Sequence, residues 1–186
     1  PMKQLPNAIT VLRAALVPLL AWLLLEHDHE RAFALFVALG LSDLADGLIA
    51  RRFNLRTRFG AIADPLADKL AMLTTVLLLA QQGWLPWWFA LLVIGRDVLI
   101  VTGATAYHLL IGHVDMAPTW LSKANTALEF LFLASVLAFG AGYIDEGPWF
   151  RIFLWITSLT VIASGAQYVT VWGRKAMQAR RAATRP

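Results

Sequence analysis

Residues 42–69 read SDLADGLIARRFNLRTRFGAIADPLADK, and within them four aspartates flank a short basic segment. An apolar stretch leads into this segment at 32–50, and a second one follows it at 66–82. A helix that spans a bilayer needs about 20 mostly apolar residues, and a short connection favours antiparallel neighbours. We therefore predict two antiparallel helices joined by a basic loop, with the aspartates close to that loop.

Four further stretches are long and apolar enough to span a membrane. Hydrophobic residues make up 59% of the 186-residue chain and charged residues only 15%, against about 45–50% and about 25% in typical globular proteins. Such a chain has too few polar residues to cover a surface in water. We predict an all-α, polytopic membrane protein with a single domain over residues 2–186. Its bundle of six transmembrane helices is expected at 8–25, 32–50, 66–82, 86–111, 119–140 and 149–172.

Composition excludes several other classes of protein. The formal net charge is +4, but the cations cluster beside apolar stretches, and the sequence has no basic-aromatic pattern that would predict nucleic-acid binding. The chain has no cysteine, which excludes a disulfide framework and a thiolate metal site. The first apolar stretch runs on directly to further spans, so we expect no cleavable signal or transit peptide.

The distribution of basic residues predicts the orientation in the membrane. Arginine and lysine concentrate in the loop at 51–58 and in the segment 174–185, whereas the opposite side carries two arginines among several acids. Cytoplasmic loops are enriched in these two residue types. We predict a multi-pass protein of the cell inner (cytoplasmic) membrane, with both termini and the aspartates facing the cytoplasm.

The spacing of the four aspartates brings their side chains together. Asp43 and Asp46 are three residues apart, and Asp64 and Asp68 are four apart, so each pair shares one face of a helix. Four carboxylates this close repel one another at membrane depth unless positive charge lies among them. All-oxygen ligation suits Mg²⁺ or Mn²⁺. Two such ions could clamp a diphosphate and its leaving oxygen during a displacement reaction.

Small and basic residues around the aspartates agree with a bound phosphate. Gly47 and Ala50 leave room for a ligand on the face of the first aspartate pair. Arg51 offers a fixed cation to a phosphate, and Gly60 would let the chain turn before the next helix. The alternative is that the acids only flank helix ends, where a negative charge favours a helix N-terminus. That alternative suffices for one aspartate but explains four at these spacings less well.

Three polar groups interrupt other apolar segments, and each has a structural alternative. The first could contact a bound phosphate, or cap the helix and reach the interface. The second could hold an anionic ligand, or form a buried ion pair. The third includes a lysine suited to a phosphate. These groups are Asn7, Thr10 and Arg13; Arg96 with Asp97; and Lys123, Asn125 and Glu129.

The pattern D-x2-D-G-x2-A-R-x8-G-x3-D-x3-D at 43–68 resembles the signature of the CDP-alcohol phosphatidyltransferases and matches it at every fixed position. The resemblance implies a six-helix membrane fold, usually a homodimer, with a two-metal site at the cytoplasmic interface. It implies CDP-diacylglycerol as donor and CMP as product. It also implies the roles of individual residues: Asp43, Asp46 and Asp64 as metal ligands, Asp68 as a further ligand and general base, and Gly47, Ala50, Arg51 and Gly60 around cytidine and diphosphate. The family's similar N-x2-T-x2-R start favours contact of Asn7, Thr10 and Arg13 with donor phosphate or cytidine.

Two outer motifs are similar to the cardiolipin synthases within this family. They read GRDVLI at 95–100 and SKANTA at 122–127, whereas phosphatidylglycerophosphate synthases more often carry Arg-Glu and a paired-lysine segment there. Glu129 departs from the glutamine expected at its position. We predict phosphatidyl transfer to phosphatidylglycerol, giving cardiolipin and CMP, with Arg96, Lys123 and Asn125 at this anionic acceptor lipid.

Two other functions stay open. An enzyme of the same family could use glycerol 3-phosphate as its acceptor instead. A divalent-metal transporter, which is a different class, would also place carboxylates inside a helical bundle. A transporter would be expected to hold its ligands near the bilayer midplane, whereas these aspartates flank a basic cytoplasmic loop.

Overall fold

The structure is a computed structural model that describes residues 5–53, 58–111, 119–145 and 147–183. Helices account for almost all of these residues, so the all-α prediction is confirmed. The described helices are α1 Leu5–Leu25, α2 His29–Phe53, α3 Arg58–Gln81, α4 Trp87–Ile111, α5 Trp120–Gly140 and α6 Trp149–Ala183.

Each predicted span falls on one of these helices, but the helices continue beyond the apolar residues. α3 begins at Arg58, eight residues ahead of the predicted span at 66–82, and α6 runs on to Ala183 from a span predicted to end at 172. The reason is that hydropathy reports only the part of a helix that can lie in lipid. Arginine, lysine, alanine and glutamine are good helix formers in water as well.

Three helices contain segments that are long and apolar enough to cross a membrane: Trp87–Ala106, Trp120–Gly140 and Trp149–Arg174. α1 contributes a shorter apolar helix, Leu12–Leu25. Among the described residues, α2 and α3 contain no segment that meets the same standard. The prediction of a membrane protein with apolar spanning helices is therefore supported for half of the six spans.

The chain divides into two compact units, unit 1 over residues 1–86 and 130–147, and unit 2 over residues 87–129 and 148–186. Unit 1 contains α1, α2, α3 and the second half of α5. Unit 2 contains α4, the first half of α5, and α6. The single domain over 2–186 stays a prediction.

Unit 1 is built by mutual packing of α1, α2 and α3. Leu20, Leu24 and Leu79 are fully buried in its core. Phe36 of α2 stacks on Phe130 of α5, with ring centroids 4.9 Å apart. Gly40 lies one turn further along α2, and a Cβ there would collide with the ring of Phe130. Close packing at these positions holds the α2 segment that leads to Asp43.

Unit 2 is built mainly by packing of α4 against α6. Trp88 stacks on Trp155 with ring centroids 5.5 Å apart, and Val161 is fully buried. Near the other end of the pair, Gly103 of α4 lies directly against the indole of Trp172. A side chain at Gly103 would push the two helices apart.

Candidate active site

Two of the four aspartates meet in unit 1. Asp43 lies on α2 and Asp68 on α3, and both accept hydrogen bonds from Arg13 on α1. Arg13 Nη1 lies 2.9 Å from Asp43 Oδ1 and 3.1 Å from Asp68 Oδ1. The packing of the first three helices thus brings together carboxylates that belong to different helices, with one guanidinium nitrogen between them.

Burial differs sharply within this group, which we call the Arg13 cluster (Arg13, Asp43 and Asp68). The Arg13 side chain is 1% exposed, whereas Asp43 is 39% and Asp68 is 32% exposed. A buried guanidinium is tolerated only when it is paired with acceptors, because removing a charge from water is expensive. The cation is therefore enclosed, while the two carboxylates keep part of their surface open to a ligand.

The remaining residues of the aspartate string lie on the same two helices, but their side chains are outside the described part. Asp46 follows Asp43 by three residues on α2, and Asp64 precedes Asp68 by four on α3. Gly47, Ala50 and Arg51 also belong to α2.

Two further expectations concern the backbone near these motifs. Gly60 was expected to permit a turn before the next helix, but α3 already begins at Arg58. Gly60 therefore lies in the first turn of α3 and not ahead of it. The donor candidates Asn7 and Thr10 belong to the start of α1, and their side chains are outside the described residues.

The two described carboxylates, Asp43 and Asp68, are suitable ligands for a hard divalent cation. Both present oxygens within hydrogen-bonding distance of one cationic nitrogen, which shows that positive charge can lie between them. Carboxylate oxygens are the ligands that Mg²⁺ and Mn²⁺ prefer. Within the described ranges no group of three or more histidine, cysteine, aspartate or glutamate side chains could hold a metal. A complete ligand set would need Asp46 and Asp64.

The Arg96 guanidinium is the centre of a polar group in unit 2. Nη1 donates to Asp97 Oδ1 at 2.8 Å, and Nη2 donates to Ser122 Oγ at 2.7 Å and to Ser164 Oγ at 2.9 Å. Arg96 is 8% exposed and joins α4, α5 and α6. The ion pair with Asp97, one of the two alternatives raised by the sequence, is present, and contact with an acceptor stays a prediction.

Lys123 and Asn125 have very different surroundings although both lie in the first turns of α5. Lys123 is exposed, and its ammonium nitrogen lies 5.9 Å from the ring centroid of Trp120. Asn125 is fully buried. Its Nδ2 donates to Glu129 Oε1 at 2.6 Å, and its Oδ1 accepts from Thr160 Oγ1 at 2.9 Å. Lys123 can reach a ligand from outside, whereas the Asn125 amide is already bonded at both ends.

Sequence reasoning did not single out the hydroxyl partners Ser122, Ser164 and Thr160. Ser164 lies in a run of four small residues, Ala163-Ser164-Gly165-Ala166, on α6. Small residues in a spanning helix mark places where another helix or a long polar side chain comes close. That signal could have identified α6 as the neighbour of Arg96, because a Cβ at Gly165 would lie 3.8 Å from Arg96 Cγ.

Comparison with known proteins extends the match far beyond the aspartate string. The sequence model of a family described as CDP-alcohol phosphatidyltransferase matches residues 3–170. This range includes every described side chain of the Arg13 cluster and of the Arg96 group.

Three curated proteins are similar to most of the chain. The cardiolipin synthase (CMP-forming) / mitochondrial hydrolase fusion protein of Schizosaccharomyces pombe is 35% identical over 184 residues, which cover 88% of this chain and 30% of that protein. The human cardiolipin synthase (CMP-forming) is 30% identical over 94% of this chain and 63% of its own length. The CDP-diacylglycerol--glycerol-3-phosphate 3-phosphatidyltransferase of Bacillus subtilis is 29% identical over 90% of this chain and 94% of its own. The chain thus spans less than two thirds of the first two relatives.

Proposed function

Because the chain belongs to the CDP-alcohol phosphatidyltransferase family, we propose that it is a membrane enzyme that transfers a phosphatidyl group from CDP-diacylglycerol to an alcohol. The observation that carries this proposal is the meeting of Asp43 and Asp68 at one cationic nitrogen, each with about a third of its side chain exposed. Two carboxylates from two helices then face the same small volume, as a phosphate site with bound metal requires.

The proposed metal site consists of Asp43, Asp46, Asp64 and Asp68. Two Mg²⁺ or Mn²⁺ ions held there would supply positive charge against the diphosphate and against the charge on the departing CMP. The aspartates hold this charge at the point where α2 and α3 come together, and they orient the donor for attack. Positioning and charge stabilisation supply most of the catalysis in phosphoryl transfer.

Asp68 is the proposed general base. Its carboxylate accepts the proton of the acceptor hydroxyl as the hydroxyl oxygen attacks the phosphorus that bears the lipid. The bond from that phosphorus to the CMP oxygen breaks, and CMP leaves. Asp68 suits this role because it shares the Arg13 nitrogen with Asp43, and because 32% of its side chain is exposed. General-base help typically contributes about 10²–10⁴-fold to the rate.

The donor site is proposed to lie on the faces of α1, α2 and α3 that carry the remaining motif residues. Small side chains there leave room for cytidine and diphosphate, and polar or basic ones bind them. Arg13 was expected among the donor ligands, but its contacts support a different role, which is developed in the next subsection. The proposed donor residues are therefore Asn7, Thr10, Gly47, Ala50, Arg51 and Gly60.

The acceptor is proposed to be phosphatidylglycerol, so that the products are cardiolipin and CMP. Two relatives that cover most of this chain are named cardiolipin synthase. Lys123 is the best candidate for direct contact with an anionic headgroup, because it is exposed near the start of α5. Arg96 supplies buried positive charge, and Asn125 orients neighbouring polar groups.

A second candidate acceptor is glycerol 3-phosphate. It is favoured by the Bacillus subtilis relative, whose name specifies that acceptor. The two acceptors share a primary hydroxyl and a phosphate but differ in how they reach the site. Each buried methylene contributes about 0.8 kcal/mol to membrane partitioning, so a lipid acceptor needs little binding energy from the protein. The chain's membership of this family argues against the other alternative, a divalent-metal transporter.

The membrane arrangement is likewise a proposal beyond the three apolar spans. Six spanning helices, α1 to α6, would place the aspartates and both termini at the cytoplasmic face of the cell inner membrane. Partial support comes from the six described helices and from the arginines at residues 51–58, where α2 ends and α3 begins. A homodimer is proposed from the family resemblance.

The proposal is tested by offering both acceptors to the purified protein together with CDP-diacylglycerol and divalent metal. Mass spectrometry then identifies the lipid product. We expect mainly cardiolipin, with glycerol 3-phosphate poorer by at least about tenfold, or about 1.4 kcal/mol in transition-state terms. Phosphatidylglycerophosphate as the main product would favour the second acceptor, and release of no CMP with either acceptor would contradict the phosphatidyltransferase activity itself.

A further inference from the structure

Arg13 donates hydrogen bonds to two of the proposed metal ligands. A single nitrogen, Nη1, donates to carboxylates on two other helices, at 2.9 Å to Asp43 and 3.1 Å to Asp68. The three residues come from α1, α2 and α3, the helices that pack together in unit 1. Arg13 therefore links all three helices at the level of the proposed catalytic site.

The burial of Arg13 argues against a role that begins only when the donor arrives. Its side chain is 1% exposed, less than any other member of the Arg13 cluster. A guanidinium that waited for a diphosphate would be a buried charge without a counterion for most of the enzyme's cycle, and such a charge is strongly destabilising. The two carboxylates remove that penalty.

The two carboxylates also depend on Arg13. Asp43 and Asp68 lie close enough to share one donor nitrogen, so without a cation they would repel each other across the α2–α3 contact. Repulsion would separate the helices or rotate the side chains away. Ligands that are held in place before the metal and the donor bind do not have to be ordered at that moment.

We propose that Arg13 is a positioning residue, a built-in cation that holds Asp43 and Asp68 together before metal and donor bind. This inference rests on the proposed function of these two aspartates as metal ligands. Arg13 acts through the aspartates and does not itself contact the reacting phosphate. Arginine suits the role better than lysine, because a planar guanidinium offers several donors in fixed directions.

The first test uses thermal unfolding of the purified full chain in detergent with EDTA, and compares Arg13→Gln, Asp43→Asn and the double variant. We expect Arg13→Gln to lower the unfolding temperature by about 5 °C or more. Adding Asp43→Asn should then restore a substantial part of that loss, because one of the two repelling charges is gone. Two contacts with independent packing roles would instead give additive losses, and additive losses would overturn the proposal.

A matched control is available in the same unit. Arg31 pairs with Asp28 at 3.3 Å, but its side chain is 75% exposed. Exposed pairs contribute little to stability, so Arg31→Gln should change the unfolding temperature by less than about 2 °C. Arg13→Lys keeps the charge and should recover part of the stability lost in Arg13→Gln. An Arg13→Lys variant as unstable as Arg13→Gln would mean that charge is not what matters.

The second test adds Mn²⁺ alone and measures the rise in unfolding temperature. We expect a larger rise for Arg13→Gln than for the unchanged protein, because the metal then supplies the only cation between the carboxylates. An equal or smaller rise would overturn the inference. No effect of Mn²⁺ on the unchanged protein would contradict the proposed metal site, while the EDTA comparison would still decide the role of Arg13.

The third test separates positioning from direct donor binding. Calorimetric titration with CDP in the presence of Mn²⁺ should give Arg13→Lys a CDP affinity within about threefold of the unchanged protein, since Arg13 is proposed to touch carboxylates rather than the diphosphate. Loss of CDP binding in Arg13→Lys together with normal stability in EDTA would make Arg13 a donor ligand and overturn the inference.

Discussion

Asn125 Nδ2 donates a 2.6 Å hydrogen bond to Glu129 Oε1, one turn further along α5. Both residues are buried, at 0% and 5% exposure, and Thr160 of α6 completes the group by donating to Asn125 Oδ1 at 2.9 Å. Buried polar groups are expensive when they lack partners. This relationship explains how two strongly polar side chains are accommodated in an apolar span.

Replacement of Glu129 should therefore depend on whether the new side chain keeps an acceptor oxygen. Glu129→Gln retains an Oε1 for the Asn125 amide, and we expect it to change the free energy of unfolding by less than about 1 kcal/mol. Glu129→Leu has a similar size but leaves the amide donor without this partner, and should cost about 1–3 kcal/mol. Chemical denaturation in detergent measures both. Equal losses in the two variants would show that the charge of Glu129 matters, and not its acceptor oxygen.

The metal ligands are tested by single substitutions in the aspartate string. Asp43→Asn, Asp46→Asn and Asp64→Asn each remove a charged ligand and should lower CMP release by at least about 10²-fold, the upper range for weakened metal sites. The protein should still fold, because loss of one charge relieves repulsion among the others. Asp28→Asn, at the exposed pair with Arg31, is the control and should keep normal activity. Near-normal turnover of the three variants at saturating Mg²⁺ or Mn²⁺ would refute the ligand assignment.

Asp68 should behave differently from the other aspartates if it is the base. Asp68→Asn keeps a side chain of the same size and an oxygen for Arg13, so the donor should still bind while turnover falls by about 10²–10⁴-fold. Titration calorimetry with a CDP-lipid analogue measures binding, and CMP release measures turnover. An Asp68→Asn variant that no longer binds the donor would make Asp68 chiefly a metal ligand.

The six-span arrangement is tested by the side from which single cysteines react. The chain has no native cysteine, so Leu55→Cys, Asp145→Cys and Arg180→Cys each introduce one thiol. We expect an impermeant maleimide to label positions 55 and 180 only from the cytoplasmic side and position 145 only from the opposite side. If positions 55 and 145 react from the same side, an odd number of spans cannot lie between them and the arrangement is incorrect.

His29 should make the stability of the protein depend on pH. Burial, followed by the nearby His27, lowers the pKa of His29 below its usual value of 6.5, although Asp28 acts in the opposite direction. The centroid of the imidazole ring lies 4.7 Å from the centroid of the Trp84 ring. The folded protein therefore binds fewer protons than the unfolded chain in the window below pH 6.5, and stability falls as the pH falls from 6.5 through the lowered pKa.

Thermal unfolding at a series of pH values tests this dependence. We expect His29→Gln to flatten the decline below pH 6.5, because the variant has no imidazole to protonate at this buried position. His27→Asn is the control: His27 is exposed and has a φ of 58°, a conformation that asparagine tolerates. The His27→Asn variant should keep most of the decline in stability below pH 6.5. An unchanged decline in His29→Gln would assign the pH dependence to other groups.

Much of the candidate site could be predicted from the sequence because the relevant patterns are local. Aspartates three or four residues apart share a helix face whatever the tertiary fold, and a 20-residue apolar stretch predicts a helix by its length alone. These rules identified the helices that carry Asp43 and Asp68 and their meeting near a basic connection. They did not predict how far α3 and α6 continue beyond their apolar residues, because helix propensity and lipid solubility are separate properties.

Residue types at fixed short spacings were enough to predict the all-α class, the family and the four aspartates of the candidate site. The partners of the long polar side chains emerge only from the packing of the helices. Arg13, predicted to contact the donor, donates to Asp43 and Asp68, and Arg96 bonds to Ser122 and Ser164. A guanidinium at the end of a flexible chain can reach several positions, and its position depends on which acceptors the packing of neighbouring helices buries beside it.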